Sequence, residues 1–352
     1  MPMSHIVFIT GAASYVGSML CDRLSQRADV GSIVALDKAP MPDLLRGNGK
    51  IQWIAANTID DTWHDAVAAT EPDIVIHAAW QIRDIYGKAD LRHSWNVGGA
   101  RRVIDFAFAT GSVERFIHFS SISSYGAQAD NTFERVFTEA DEFRADEFVY
   151  SEEKRIVEAY LADQFKQAKE NGSAVKVAVL RPAAITGPRG RSRRSSFGLQ
   201  SALSGQLTGK LINRLVALLV SVLPLTPRWC RQFVHEDDVA DIVDLMAFGD
   251  LPTNFDQFIA CPPGDIIRGA DMARAFQKRA VRLHPQLVRL AFFLAWHLTR
   301  GRIPTSRGAW RYYSYPLIVD GSKLTQTYQY NYRMNSLDAL TQNVGHYAPA
   351  LS

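Results

Sequence analysis

Cysteine is scarce in this chain. Cys21, Cys230 and Cys261 are the only three in 352 residues. Their positions match neither a metal site nor a disulfide framework, so a reducing compartment is expected. No apolar run reaches the roughly 18 residues that a membrane span requires. Only Met1 to Ser4 precede the first strand-like run, too few for a signal peptide. Internal repeats and low-complexity segments are absent as well. These absences together predict a cytoplasmic globular protein, in contact with a membrane at most peripherally.

Acidic residues are missing from two long stretches. Residues 171–235 hold ten Lys or Arg and no Asp or Glu, and residues 272–319 hold nine basic residues and again no acid. The formal net charge of +3 hides this asymmetry. It suggests that the C-terminal half faces something anionic. The competing explanation is a scatter of solvated arginines.

What is present is an ordinary globular balance, 47% hydrophobic and 21% charged, long enough for one large or two smaller domains. His5 to Thr10 reads as a buried parallel strand. A turn over Gly11 to Gly17 leads to a helix at Ser18 to Arg27. Further strands are expected at Ser32 to Leu36, Ile51 to Ala55, Asp73 to His77, Arg115 to Ser120 and Val175 to Leu180. Helices are expected at Leu91 to Ala109 and Ser151 to Gln164. Strands alternating with helices predict an α/β doubly wound parallel sheet, a Rossmann fold. Residues 1–180 are expected to form the nucleotide-binding core. Residues 181–352 mostly build a smaller substrate lobe, with about 228–260 returning to the core.

Thr10-Gly11-Ala12-Ala13-Ser14-Tyr15-Val16-Gly17 lies between a strand and a helix. Gly11 permits a tight turn, small residues let a pyrophosphate approach, and the helix N-terminus offers N–H groups. Asp37 ends the second strand, 20 residues after Gly17. A carboxylate there accepts hydrogen bonds from ribose hydroxyls and repels a 2′-phosphate, favouring NAD over NADP. A turn-capping Asp is the alternative, and Lys38 beside it could soften the discrimination.

Tyr150 and Lys154 stand four apart on a predicted helix, so both lie on one face. An ammonium beside a phenol makes the phenol easier to ionise.

These motifs stand in a fixed order with His77-Ala78-Ala79, Asn96-Val97, Ser120-Ser121-Ile122-Ser123-Ser124-Tyr125-Gly126, Leu180-Arg181-Pro182 to Gly187-Pro188, and Val234-His235-Glu236-Asp237-Asp238-Val239-Ala240. In that order the chain resembles the extended short-chain dehydrogenase/reductase family, the NAD-dependent epimerase/dehydratase group, over about residues 5 to 260. The resemblance implies Tyr150 as general acid/base, Lys154 as its helper and holder of the nicotinamide ribose, and Ser121 as the hydroxyl that orients the substrate. It places Gly11, Ser14, Tyr15, Val16, Gly17, Asp37, Asn57, Ala78, Ala79, Lys154 and Pro182 against the cofactor. Asn96 is expected to be structural, tying helix to strand. Two positions depart from the pattern. Ser14 replaces a glycine, which narrows the backbone angles. Asn57 stands where the family often has an adenine-contacting Asp.

Substrate class is read from other positions. Ile122 and Ser123 replace the Asp-Glu pair of the family's 4,6-dehydratases, which argues against dehydration. Ala184 stands where many sugar-nucleotide enzymes have Asn, but Arg231 matches a diphosphate-binding arginine. Trp80 is expected at the mouth between cofactor and substrate. The runs Leu211 to Val220 and Leu287 to Trp296 are apolar nearly all round. Each reads as a buried core helix, a lid over an apolar substrate, or an interfacial helix on an anionic bilayer. Arg189, Arg191, Arg193 and Arg194 read as a solvated loop or as a phosphate- or headgroup-binding cluster.

The leading expectation is an NAD-dependent oxidoreductase for a secondary alcohol or ketone on a bulky, sterol-like substrate. A nucleotide-sugar epimerase or reductase is the alternative, and a non-catalytic NAD-binding subunit the second. The expected partners are a small-molecule substrate, an anionic membrane surface and a second copy of the chain, with no nucleic acid and no metal.

Overall fold

Apolar runs flanked by amphipathic helices dictate the architecture. A computed structural model describes residues 4–190, 222–264, 266–275, 277 and 279–348. Seven strands form one parallel sheet: β1 (His5–Thr10), β2 (Val30–Asp37), β3 (Ile51–Ala55), β4 (Ile74–His77), β5 (Arg115–Phe119), β6 (Lys176–Pro182) and β7 (Phe255–Ala260). Their spatial order is β7-β6-β5-β4-β1-β2-β3. The order reverses beside β1, the crevice where doubly wound folds bind nucleotides. Six strands match the sequence expectation to within two residues at either end. The seventh pairs residue by residue with β6, Phe255 opposite Val177 and Ala260 opposite Pro182.

Helices α1 (Tyr15–Ser25), α2 (Gly99–Ala109), α3 (Val149–Glu170) and α4 (Glu236–Phe248) cover the sheet. On one face Met19, Leu20 and Leu24 of α1 share a core with Val239, Val243 and Met246 of α4. Arg23–Asp241 (2.8 Å) and Arg27–Asp244 (2.7 Å) clamp these two helices at the rim. On the other face Val103, Ile104 and Ala107 of α2 pack with Val157 and Leu161 of α3. Fully burying an aliphatic side chain of this kind stabilises by about 1.5–3 kcal/mol.

Two expectations are corrected. The helix expected over Leu91 to Ala109 is interrupted: an α-helical turn at Ala89–His93 passes into a π-helical turn at Ser94–Gly98 before α2 begins. The run Leu211 to Val220 lies outside the described residues, and Val222–Leu225 form a strand. Arg191, Arg193 and Arg194 are also outside the described residues. Helix α5 (Pro285–Leu298) does form, but it is not a core helix: of its side chains only Val288 is buried. Among the described residues, no helix is long and apolar enough to cross a membrane.

Candidate active site

The turn after β1 is built for close backbone approach. Gly11 has φ +72°, and a Cβ there would lie 2.5 Å from the Ala79 Cα. A Cβ on Gly17 would lie 2.1 Å from the Gly11 carbonyl oxygen. No other residue fits either place without moving backbone. Ser14 is different. Its φ is −68°, an ordinary value, and its Oγ accepts from the Gly17 N–H at 3.0 Å as the N-cap of α1. The serine therefore carries no backbone strain and stabilises the helix start.

Asp37 sits across from this turn. Its carboxylate accepts from the Ala13 N–H (2.9 Å) and the Ala39 N–H (2.9 Å). Each oxygen keeps lone-pair capacity for a second donor, so turn capping and ribose binding are compatible. A cleft of about 230 Å³ opens here, lined by Gly11, Ser14, Asp37, Asn57 and Ala79 and ending at Trp80. Lys38 and Trp95 also line it, the Lys38 ammonium 3.5 Å from the centre of the Trp95 ring. The Asn57 side-chain oxygen accepts from the Ile59 N–H at 3.3 Å, so it shapes the loop. The Ala79 N–H is held by the Thr10 hydroxyl at 3.3 Å. Tyr15, Val16, Ala78 and Pro182 do not line this cleft. The Tyr15 hydroxyl donates to Glu236, Val16 packs on the core, the Ala78 N–H donates to the Thr10 carbonyl at 3.3 Å, and Pro182 ends β6. A small-residue floor, a helix N-terminus and a carboxylate at the β2 end fit a dinucleotide.

Beyond Trp80 lie the candidate catalytic residues. Tyr150 is the second residue of α3, Lys154 follows one turn later, and Ser121 caps the short helix after β5. The Ser121 hydroxyl is near enough to the Tyr150 phenol to favour its ionised form. Ser121 Oγ also accepts from the Ser123 N–H (3.1 Å) and hydroxyl (3.0 Å), which fixes its rotamer. Lys154 is buried, donates to the Phe119 carbonyl, and lies 3.4 Å from the centre of the Trp80 ring. Trp80 meets Tyr150 edge-on, with centroids 6.4 Å apart.

Burial sets the electrostatics. It pushes the Tyr150 phenol above its usual pKa, opposed by the Ser121 hydroxyl and the charge of Arg92. It pushes the Lys154 ammonium well below its usual value, opposed by Glu158 and Glu153. His77 and His118 stack beneath at 5.5 Å, and burial with the nearby Lys154 charge holds His77 down to about 3. The charge of Arg92 also favours the Tyr150 phenolate.

Arg92 belongs to a buried ionic layer. It pairs with Asp84 and, at 2.6 Å, with Glu153 on α3, while its Nε donates to the Gln81 carbonyl. Asn96 in the π-helical turn joins it: Nδ2 donates to Glu153 (2.7 Å) and Oδ1 accepts from the Gln81 N–H (2.7 Å). Asn96 thus ties the turn to α3 and to the loop after Trp80, not to a strand. A π-helical turn commonly marks a functional position. A second buried pair, Arg181–Glu158 at 2.6 Å, anchors α3 to β6.

The comparisons with known proteins agree with this geometry. The model of the NAD dependent epimerase/dehydratase family matches residues 7–250. The chain belongs to that family. Uncharacterized proteins of Mycobacterium tuberculosis and Mycobacterium bovis are each 30% identical over 126 residues, 35% of this chain and 33% of theirs. The match spans about a third of the length of these curated relatives. Among solved structures, the Bordetella bronchiseptica enzyme WbmG in complex with NAD and UDP has a TM-score of 0.68 at 19% identity, covering 98% of this chain and 94% of its own. A short-chain dehydrogenase/reductase superfamily protein from Agrobacterium tumefaciens with bound NAD has a TM-score of 0.69 at 16% identity, covering 98% and 97%. A UDP-galactose 4-epimerase has a TM-score of 0.65 at 17% identity, covering 99% and 100%. Likeness at these identities establishes the shared fold.

In this epimerase/dehydratase-family chain the C-terminal segment completes the site. Tyr312 was not legible in the sequence. Its buried hydroxyl contacts Ser151 Oγ (2.8 Å), the Ser123 carbonyl (2.6 Å) and the Asp146 carboxylate (2.7 Å). Its ring lies 5.0 Å from Phe148, which in turn lies 5.7 Å from Tyr150. Gly308, with φ +83°, presses so close that a Cβ there would lie 2.3 Å from the Phe148 nitrogen. Arg231 donates to the Tyr312 carbonyl at 3.0 Å and faces the Tyr313 ring. Ala184 is half-buried, its N–H donating to the Gln232 carbonyl at 3.3 Å.

Proposed function

We propose that the protein interconverts a secondary alcohol and a ketone on a bulky, largely apolar substrate. The single observation that carries this is that Ser121, Tyr150 and the buried Lys154 come together beside Trp80. Gly11, Ser14, Gly17, Asp37 and Ala79 would hold NAD, with Lys154 on its nicotinamide ribose. The cofactor supplies the hydride acceptor or donor.

Tyr150 handles the proton at the substrate oxygen. With its pKa raised by burial, it stays a neutral phenol near neutrality and serves as the proton donor in ketone reduction. Alcohol oxidation needs the phenolate, which Ser121 and Arg92 favour. Ser121 orients the same oxygen and stabilises charge as it develops there. Trp80 and Phe148 flank the Tyr150 ring.

An apolar substrate is supported by the aromatic surround of Trp80, Phe148 and Tyr312, by Ala184 in place of a polar contact, and by Arg231 being engaged by the Tyr312 carbonyl. A second reading, a nucleotide-sugar epimerase, is supported by structural neighbours such as WbmG, solved with NAD and UDP. Tyr150→Phe tests the chemistry. Turnover of the alcohol or ketone should fall at least about a hundredfold, with NAD affinity unchanged by titration calorimetry. Full turnover would remove Tyr150 from the reaction. A panel of hydroxysteroids against uridine-diphospho-sugars, assayed on the native chain, separates the two substrate readings.

A further inference from the structure

Helix α5 exposes an apolar face with a basic border. Leu287, Leu290, Phe293, Leu294 and Leu298 are all exposed, Phe293 by 58% and Leu298 by 80%. At 100° per residue they fall on one arc of about 140°. Val288, Phe292, Ala295 and Trp296 fall on the opposite side, which is buried or half-buried. An apolar strip of this size on a helix surface normally has an occupant.

The charges around it narrow the choice of occupant. Arg282, Arg289, Arg300, Arg302 and Arg307 are exposed, and none forms an ion pair among the described residues. No Asp or Glu occurs anywhere in residues 272–319. A second copy of the chain meeting this face about a two-fold axis would set arginine against arginine. An anionic bilayer offers the complement, with acyl chains for the leucines and headgroups for the guanidinium groups. Lys and Arg side chains are drawn to such a surface by its negative potential.

We propose that α5 docks flat on an anionic lipid surface, with its Leu287–Leu298 face in the acyl boundary and its arginines among the headgroups. The docked helix adjoins the candidate active site. Trp296 and His297 contact Tyr86, whose hydroxyl lies 3.2 Å from His297 Nδ1, and Tyr86 belongs to the loop that follows Trp80. On its other side Phe292 meets Tyr313 at 5.1 Å. Docking would therefore bring the loop beside Tyr150 close to the membrane, where an apolar substrate resides.

Vesicle flotation of the full chain tests this. The native protein should float with vesicles of phosphatidylcholine and phosphatidylglycerol, about tenfold or more above phosphatidylcholine alone, and high salt should release it. The double variant Leu290→Glu/Leu294→Glu should lose about a hundredfold of that affinity while keeping its melting temperature and its shift with NAD. Equal flotation of native and variant chains would overturn the proposal, as would no flotation of the native chain. So would a variant that changes only the sedimentation of the free protein from dimer to monomer, which would assign the face to a second copy. Lipid binding requires no turnover, so its failure leaves the Tyr150 chemistry standing.

Discussion

The Lys154 ammonium lies 3.4 Å from the centre of the Trp80 ring, inside a site that keeps it from water. A desolvated cation over an indole is held by about 2 kcal/mol. That same ammonium is the group expected to hold the nicotinamide ribose, so the ring and the ribose compete for it.

Trp80→Ala should free Lys154. NAD affinity is expected to tighten by up to about thirtyfold, the equivalent of the lost cation–π attraction. Titration calorimetry reads it directly. Weaker binding would mean that the indole supports the cofactor rather than competing with it.

Arg92→Gln removes a cation that favours the Tyr150 phenolate. With the phenolate less stable, the pKa governing alcohol oxidation rises. The pH profile of kcat/KM should move to higher pH, and ketone reduction should keep its rate further into alkali. The change also leaves Asp84 and Glu153 without their partner, so a stability loss of about 3–5 kcal/mol is expected in urea unfolding. Arg92→Lys keeps the charge and should show a smaller shift. A profile unmoved in both variants would assign Arg92 to structure alone.

Asp37→Ser removes the carboxylate that repels a 2′-phosphate and leaves Lys38 beside it. NAD binding should weaken by about tenfold, and the NADP-to-NAD preference should rise by about a hundredfold. Parallel titrations with both cofactors measure the ratio. A preference that does not move would confine Asp37 to capping the Ala13 and Ala39 N–H groups.

The strand–turn–helix opening was readable because local rules govern it. Buried parallel strands need continuous apolar runs, and Gly11 and Gly17 stand where no Cβ fits. Ser14 was misjudged because the family pattern has glycine there, although the native backbone angle does not require it. The ionic layer was not legible. Arg92 and Glu153 are 61 residues apart, and periodicity records no pairing at that distance. The one available signal was Glu153 beside Lys154 on the inward face of a helix, because a buried carboxylate requires a partner. The π-helical turn at Ser94–Gly98 hides for another reason: one widened turn scarcely disturbs a pattern that repeats every 3.6 residues. Tyr312 approaches Ser123, Asp146 and Ser151 from over 160 residues away, and its neighbours in sequence give no sign of it.

Gly308 meets the backbone of Phe148 with no room for a side chain, and Phe148 is the residue from which the Tyr150 helix starts. The distal part of the chain is therefore not an exchangeable cassette. A chimera that borrowed a relative's C-terminal region to change specificity would have to carry its own match for the Gly308–Tyr312 contact. Without it, the graft would disturb the very helix whose selectivity it was meant to redirect.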